Sequence, residues 1–277
     1  MVYTSLTEVP RNLKEGVDWL IALKGTDAKN NLKAMGAALF NFLAGTPVGY
    51  TEVPALENIK LITKEFMEIP ALKYLWPARA MLRKFNDPKY KECGVLARWF
   101  ADVQKSDYTN VVDAGHLTAE PMAENLGKVV DGCERFLESI KIPDQYKSAY
   151  SPEATWEASC AKDPEACAVI LVGIAPMLYT GLRSLNVASE AESYRRQIWL
   201  QSPISLTDVV KAVGYKDPGC RDDLSDSDIL KALKGVSYQT LVTLYDLSGF
   251  WAFYGLDKAG AKRAAAALSG SSANGQK

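Results

Sequence analysis

The chain has 277 residues, 48% of them hydrophobic and 23% charged, which is the composition of a globular protein and excludes a disordered or collagen-like chain. Its 32 basic and 33 acidic residues give a formal net charge of -1, which indicates neither a nucleic-acid partner nor an anionic membrane. Since His116 is the single histidine, histidine-based metal sites and acid–base chemistry are also disfavoured.

The first part of the chain predicts a series of amphipathic helices. Apolar residues recur every three or four positions over 13–21, over 32–42 and over 56–69. A further helix is predicted over 71–85, and Pro77 should kink it because proline cannot donate a backbone hydrogen bond.

The helix predicted over 119–141 has the most regular pattern. Thr118 is placed to cap its N-terminus, and Pro143 follows its C-terminus. Its apolar residues form one stripe: Met122, Leu126, Val129, Cys133, Phe136 and Ile140. Shorter helices are predicted over three neighbouring segments, 93–104, 106–114 and 152–161.

The longest uncharged run covers residues 166–182, within a helix predicted over 164–186. A membrane-spanning helix needs about 20 apolar residues, so this run is slightly too short. We therefore predict a buried core helix, bent near Pro176, and no membrane span within the chain.

Apolar periodicity lapses over 187–205, where charged residues and serines are frequent. We predict an exposed loop there, following an N-terminal helical lobe over 1–186. A C-terminal helical hairpin over 206–257 should pack on that lobe, with helices at 205–214, 226–235 and 237–256. Residues 258–277 are predicted to be an Ala-rich helix end and a disordered tail.

The predicted fold class is all-α, an irregular bundle of roughly ten to twelve helices without significant sheet. The sequence has neither an alternating strand pattern nor an Asn-Gly or Asp-Gly hairpin turn between two such patterns. Catalytic and nucleotide-binding motifs such as G-x-S-x-G, H-E-x-x-H and G-x-G-x-x-G are missing from it as well. We therefore predict a non-enzymatic protein without catalytic, metal-binding or cofactor-binding residues.

One group of residues is a candidate for partner contact. Trp199 lies in the segment of poor periodicity, close to Arg195 and Arg196. Tryptophan and arginine are the residue types most enriched at the centres of protein interfaces. The spacing of these three residues identifies no particular partner.

Four strings carry a likeness to a known family, and we term them the signature segments. They are LTEVPRNLKEGVDWLIALKGTD (6–27), SPEATWEASCAKDPEACA (151–168), KAVGYKDPGC (211–220) and LYDLSGFWAFYG (244–255). Together they resemble the variant erythrocyte surface antigens of Babesia parasites.

This resemblance implies a protein exported to the surface of the infected red cell or secreted, with a role in antigenic variation and in adhesion to host endothelium. The implied partner is a host cell-surface receptor or a second antigen subunit. Family members resemble this chain in lacking an obvious N-terminal signal, although typical members carry a membrane-spanning segment near the C-terminus. The alternative is an intracellular helical scaffold or partner-binding protein, for which the missing signal peptide is equally good support.

A surface location would make Cys160 and Cys167 a candidate disulfide. Asp163-Pro164 lies between them and should end one helix and begin the next, so that the chain can fold back. The alternative is a pair of reduced, half-buried thiols. The pairing of Cys93, Cys133 and Cys220 stays open.

Overall fold

The architecture is described from a computed structural model, which covers residues 2–44, 46, 53–86, 111–198, 205–216, 219–221 and 223–248. These residues form 11 helices and no strand, which confirms the predicted all-α class. In chain order they are α1 (Leu13–Lys24), α2 (Ala28–Ala44), α3 (Pro54–Met67), α4 (Trp76–Asn86), α5 (Val111–Gly115), α6 (Ala119–Ile140), α7 (Trp156–Ser159), α8 (Pro164–Ile198), α9 (Leu206–Ala212), α10 (Asp226–Leu233) and α11 (Tyr238–Leu247).

The centre of the bundle is α8, a helix of 35 residues. Its N-terminal half is apolar on every side, so it can leave water only when other helices surround it. Helices α1, α2, α3, α4, α9, α10 and α11 all pack against it. Residues 167–178 are buried without interruption, which confirms the predicted core helix.

Among the described helices, α8 is also the one whose length and composition would suffice to cross a membrane. An 18-residue window within Pro164–Tyr194 has a mean hydropathy of 1.7. Inside this fold, 83% of that window is buried by the rest of the protein.

Helix α6 forms the second layer of the bundle. It packs along α2 and also contacts α1, α10 and α11. The helix ends at Ile140, within one residue of the predicted end. The prediction was accurate because the apolar stripe of this helix is regular. Thr118 is the N-cap residue as predicted, although its side chain makes no capping hydrogen bond.

The exposed loop predicted over 187–205 is wrong for residues 187–198, which continue α8 without a break. The N-terminal lobe therefore has no boundary at residue 186. Alanine, glutamate and arginine favour helix even without an apolar stripe, and Ala188 and Ser189 still face the core. Residues 199–204 lie outside the described residues.

Two other helices differ from prediction at their starts. Helix α4 begins at Trp76, so Pro77 lies in its first turn instead of kinking it. Proline suits this position because the first backbone N–H groups of a helix have no intrahelical partner. Helix α7 is shorter than predicted and begins after Thr155, whose hydroxyl accepts a hydrogen bond from the Ala158 N–H.

Some predicted elements cannot be compared with the structure. The segments 93–104, 249–257 and 258–277 lie outside the described residues, as do residues 106–110 of the helix predicted over 106–114. The rest of that predicted helix, residues 111–114, is helical and belongs to α5. Helices α10 and α11, in the region of the predicted C-terminal hairpin, both pack against α6 and α8.

The contact between α2 and α6 depends on a glycine. A Cβ atom at Gly36 would lie 2.7 Å from both the backbone nitrogen and the Cα of Ala123 on α6. Real side chains do not approach backbone so closely, so the two helices can lie at this distance only because residue 36 has no side chain. Gly127 lies on α6 as well, but a Cβ there would meet its nearest neighbour, a Leu32 methyl group, at an ordinary 3.8 Å.

We expect Gly36→Ala to lower the free energy of unfolding by about 1–3 kcal/mol, because the added methyl group must push α2 away from α6. Gly127→Ala is the matched control and should be neutral or stabilising by up to about 1 kcal/mol, since it removes a glycine from a helix interior. Urea denaturation of the two variants measures both values. Equal effects would contradict the proposed close contact.

Candidate functional site

Three of the four signature segments meet around α1. Residues 6–27 contribute the N-terminal arm and α1 itself, residues 151–168 lie against them, and residues 211–220 approach from α9. Direct hydrogen bonds join them: the Leu6 N–H donates to Ser159 Oγ (2.9 Å), Trp19 Nε1 donates to the Leu6 carbonyl (2.8 Å), and the Lys14 N–H donates to the Val213 carbonyl (3.1 Å). These three signature segments are thus joined to one another by hydrogen bonds that hold the fold together.

A buried carboxylate clamps α1 to the segment 146–149. Asp18 Oδ1 accepts a hydrogen bond from the Tyr146 hydroxyl at 2.6 Å. Its Oδ2 accepts from the Ala149 N–H at 2.8 Å and from Lys14 Nζ at 3.4 Å. Lys14 Nζ also donates to the Lys147 carbonyl at 3.0 Å. We call this group of contacts the Asp18 clamp.

The electrostatics of the clamp are those of a structural site. Burial raises the pKa of Asp18, while the nearby Lys14 ammonium and the hydrogen bonds from Tyr146 and Ala149 act in the opposite direction. Burial also raises the pKa of Tyr150, so its phenol stays neutral and donates to the Glu8 carbonyl at 2.6 Å. These groups hold chain segments in place, since their donors and acceptors are occupied within the protein.

Cys133, which forms no disulfide in the structure, and Cys220 are both buried. Burial raises the pKa of the Cys133 thiol to about 12, so at neutral pH it is not the thiolate that a nucleophilic cysteine needs. Tyr215 is buried close by, with its ring edge-on to Phe136 at 5.4 Å between centroids. This region has the character of a packed core.

Cys160 and Cys167 lie at disulfide-bonding distance, with sulfur atoms 2.08 Å and Cα atoms 5.9 Å apart. The chain reverses between them at Asp163, whose N–H donates to the Cys160 carbonyl. Its side chain then accepts from the Ala166 N–H in the first turn of α8. The pair therefore joins the end of α7 to the start of the central helix.

An open cleft of about 610 Å³ lies between α1 and the segment 148–157, and we call it the α1 cleft. Described residues from α1, α2, the N-terminal arm and this segment line it: Val2, Asp18, Ile21, Ala22, Gly25, Thr26, Asn31, Ser148, Tyr150, Ser151, Pro152, Ala154, Thr155, Trp156 and Glu157. Most of its surface is apolar. It is the candidate functional site.

The residues predicted to contact a partner lie elsewhere. Arg195 and Arg196 belong to the C-terminal end of α8, where their backbone alone is described, and Trp199 lies outside the described residues. Their neighbour Tyr194 is 61% exposed. None of the described residues that line the α1 cleft comes from α8.

Sequence reasoning missed the α1 cleft because tertiary contacts create it. Asp18 and Glu157 are far apart in the sequence, and no motif links them. The one available signal was that both belong to signature segments, which indicated importance without indicating proximity. Within the described part of the chain, no group of three or more His, Cys, Asp or Glu residues is arranged to hold a metal ion.

Comparisons with protein-family models, with curated proteins and with solved structures find no match to this chain.

Asp18→Asn tests the clamp. In either orientation of the asparagine amide its nitrogen replaces an acceptor of the clamp, and the negative charge that pairs with the Lys14 ammonium is lost. We expect the free energy of unfolding to fall by about 2–4 kcal/mol. The control is Asp131→Asn, since Asp131 also pairs with a lysine, Lys24 at 3.1 Å, but its side chain is half exposed.

The control should change stability by less than about 1 kcal/mol, because surface ion pairs contribute little. Chemical denaturation at neutral pH measures both variants. A loss no larger for Asp18→Asn than for Asp131→Asn would contradict the clamp.

Proposed function

We propose that this chain is a non-enzymatic parasite surface antigen of the variant erythrocyte surface antigen type, exported to the surface of the infected red cell or secreted. Its role there is antigenic variation and adhesion of infected cells to host endothelium. The signature segments support this function, together with the structural use that the fold makes of three of them.

The single observation that carries the proposal is the cysteine pair Cys160 and Cys167 at disulfide-bonding distance. Structural disulfides persist in oxidising surroundings such as the cell surface and are rare in the reducing cytosol. Both cysteines also belong to a signature segment. The same residues therefore support an oxidising compartment and carry part of the family likeness.

An antigen that varies needs a frame that tolerates surface change. The signature residues Leu6, Val17, Trp19 and Tyr215 are almost completely buried and belong to one core. Substitutions at exposed positions away from such a core usually change stability by less than about 0.5 kcal/mol. The surface can therefore change while the frame is kept, which is what antigenic variation demands.

Adhesion requires a surface that a partner can reach. The partner that we propose is a host cell-surface receptor or a second antigen subunit. Arg195, Arg196 and Trp199 stay candidates for this contact, because arginine and tryptophan dominate interface energetics. Their neighbour Tyr194 projects into solvent at the same end of α8.

The second candidate function is an intracellular helical scaffold. Its specific support is the buried Cys133, which forms no disulfide in the structure and would be ordinary in a cytosolic protein. Both functions use the same frame, so the compartment in which the chain is found discriminates between them.

Surface labelling of intact infected red cells tests the proposal. Cells are treated with a membrane-impermeant, amine-reactive biotin reagent, and the chain is recovered with a specific antibody and probed for biotin. We expect labelling without permeabilisation, because lysines such as Lys29 and Lys147 are exposed on the folded chain. A parasite cytosolic protein serves as the control and must stay unlabelled. Labelling of the chain only after permeabilisation would favour the intracellular scaffold.

A further inference from the structure

The α1 cleft has the size of a ligand site. Its volume of about 610 Å³ falls within the range of roughly 300–1,000 Å³ that is typical of small-molecule sites. It is open to solvent, so a segment of a few residues can enter it from the surface. A whole domain could not.

The lining of the cleft is mostly apolar and also includes neutral polar groups. Ile21 and Ala22 of α1 line it together with Ala154 and Trp156, which are buried. Hydroxyl and amide side chains are interspersed along the lining: Thr26, Asn31, Ser148, Ser151 and Thr155. This mixture suits a peptide, whose backbone needs hydrogen-bonding partners and whose apolar side chains need a dry surface.

Among the described residues that line the cleft, the charged ones are Asp18 and Glu157. Lys14 neutralises the Asp18 carboxylate through an ion pair at 3.4 Å, so Glu157 carries the charge that a ligand would meet. The Asp18 carboxylate is buried and held by its clamp, whereas Glu157 is exposed. A basic group entering the cleft would therefore meet Glu157 first. The chain as a whole is nearly neutral, so such an attraction would be local.

The walls of the cleft are held rigidly. The Asp18 clamp joins α1 to the start of the segment 148–157, and the hydrogen bond between Leu6 and Ser159 joins the N-terminal arm to its end. Cys160, at disulfide-bonding distance from Cys167, follows directly. A preformed site loses little conformational entropy on binding, which favours affinity for a small partner segment.

We propose that the α1 cleft binds a short peptide segment of a partner protein that presents a lysine or arginine beside an apolar side chain. The basic group pairs with Glu157, and the apolar side chain packs on Ile21, Ala22 and Trp156. Peptide binding in the cleft is compatible with a displayed antigen and with an intracellular scaffold. The binding proposal can therefore fail while the proposed function is correct, and the reverse.

A peptide library provides the test. The full chain, fluorescently labelled, is incubated with bead-displayed random hexapeptides whose termini are acetylated and amidated, and bound beads are sequenced. We expect enrichment of lysine or arginine next to leucine, valine or an aromatic residue. Failure to enrich any peptide, or enrichment of acidic peptides, would overturn the proposal.

Two charge-neutralising variants then locate the binding. Glu157→Gln should weaken the affinity for an enriched peptide by about two- to fivefold, the effect of one exposed charge pair. The matched control is Glu124→Gln, an exposed glutamate on α6 outside the cleft lining, which should leave the affinity unchanged. Equal effects of the two variants, or none from Glu157→Gln, would show that the peptide does not bind in the cleft.

Discussion

Removal of the uncharged run 166–182 from water is the constraint on which the rest of the structure depends. Each large aliphatic side chain that leaves water contributes about 1.5–3 kcal/mol, and this run supplies the longest uninterrupted series of them in the chain. Because the run is apolar on all sides, no single layer could bury it. Seven helices from the described part of the chain pack against α8.

The signature segments complete this arrangement at one end of the bundle. The Asp18 clamp, the Trp19 contact with the Leu6 carbonyl and the Cys160 and Cys167 pair together fix α1, the N-terminal arm and the segment 146–160 relative to the start of α8. Asp18 also lines the α1 cleft, and the other contacts hold in place the elements between which the cleft lies. A rigid scaffold thus positions the candidate binding surface.

The sequence predicted best those helices whose ends and buried face are marked by their own residues. Helix α6 was predicted almost to the residue, since one apolar stripe and two flanking signals define it. The extension of α8 beyond residue 186 was missed because its residues favour helix by propensity and not by apolar periodicity. The α1 cleft was beyond reach, since the sequence presents Asp18 as one charged residue of an amphipathic helix and only tertiary packing buries it.

We propose that the chain is an oxidised frame located at the cell surface, and the state of Cys160 and Cys167 in the natural protein tests this proposal most directly. Infected cells are alkylated before lysis, and the denatured, unreduced chain is digested with trypsin, which cleaves after Lys162 between the two cysteines. The account predicts two peptides that stay linked until reduction. Recovery of both cysteines as separate alkylated peptides would contradict it.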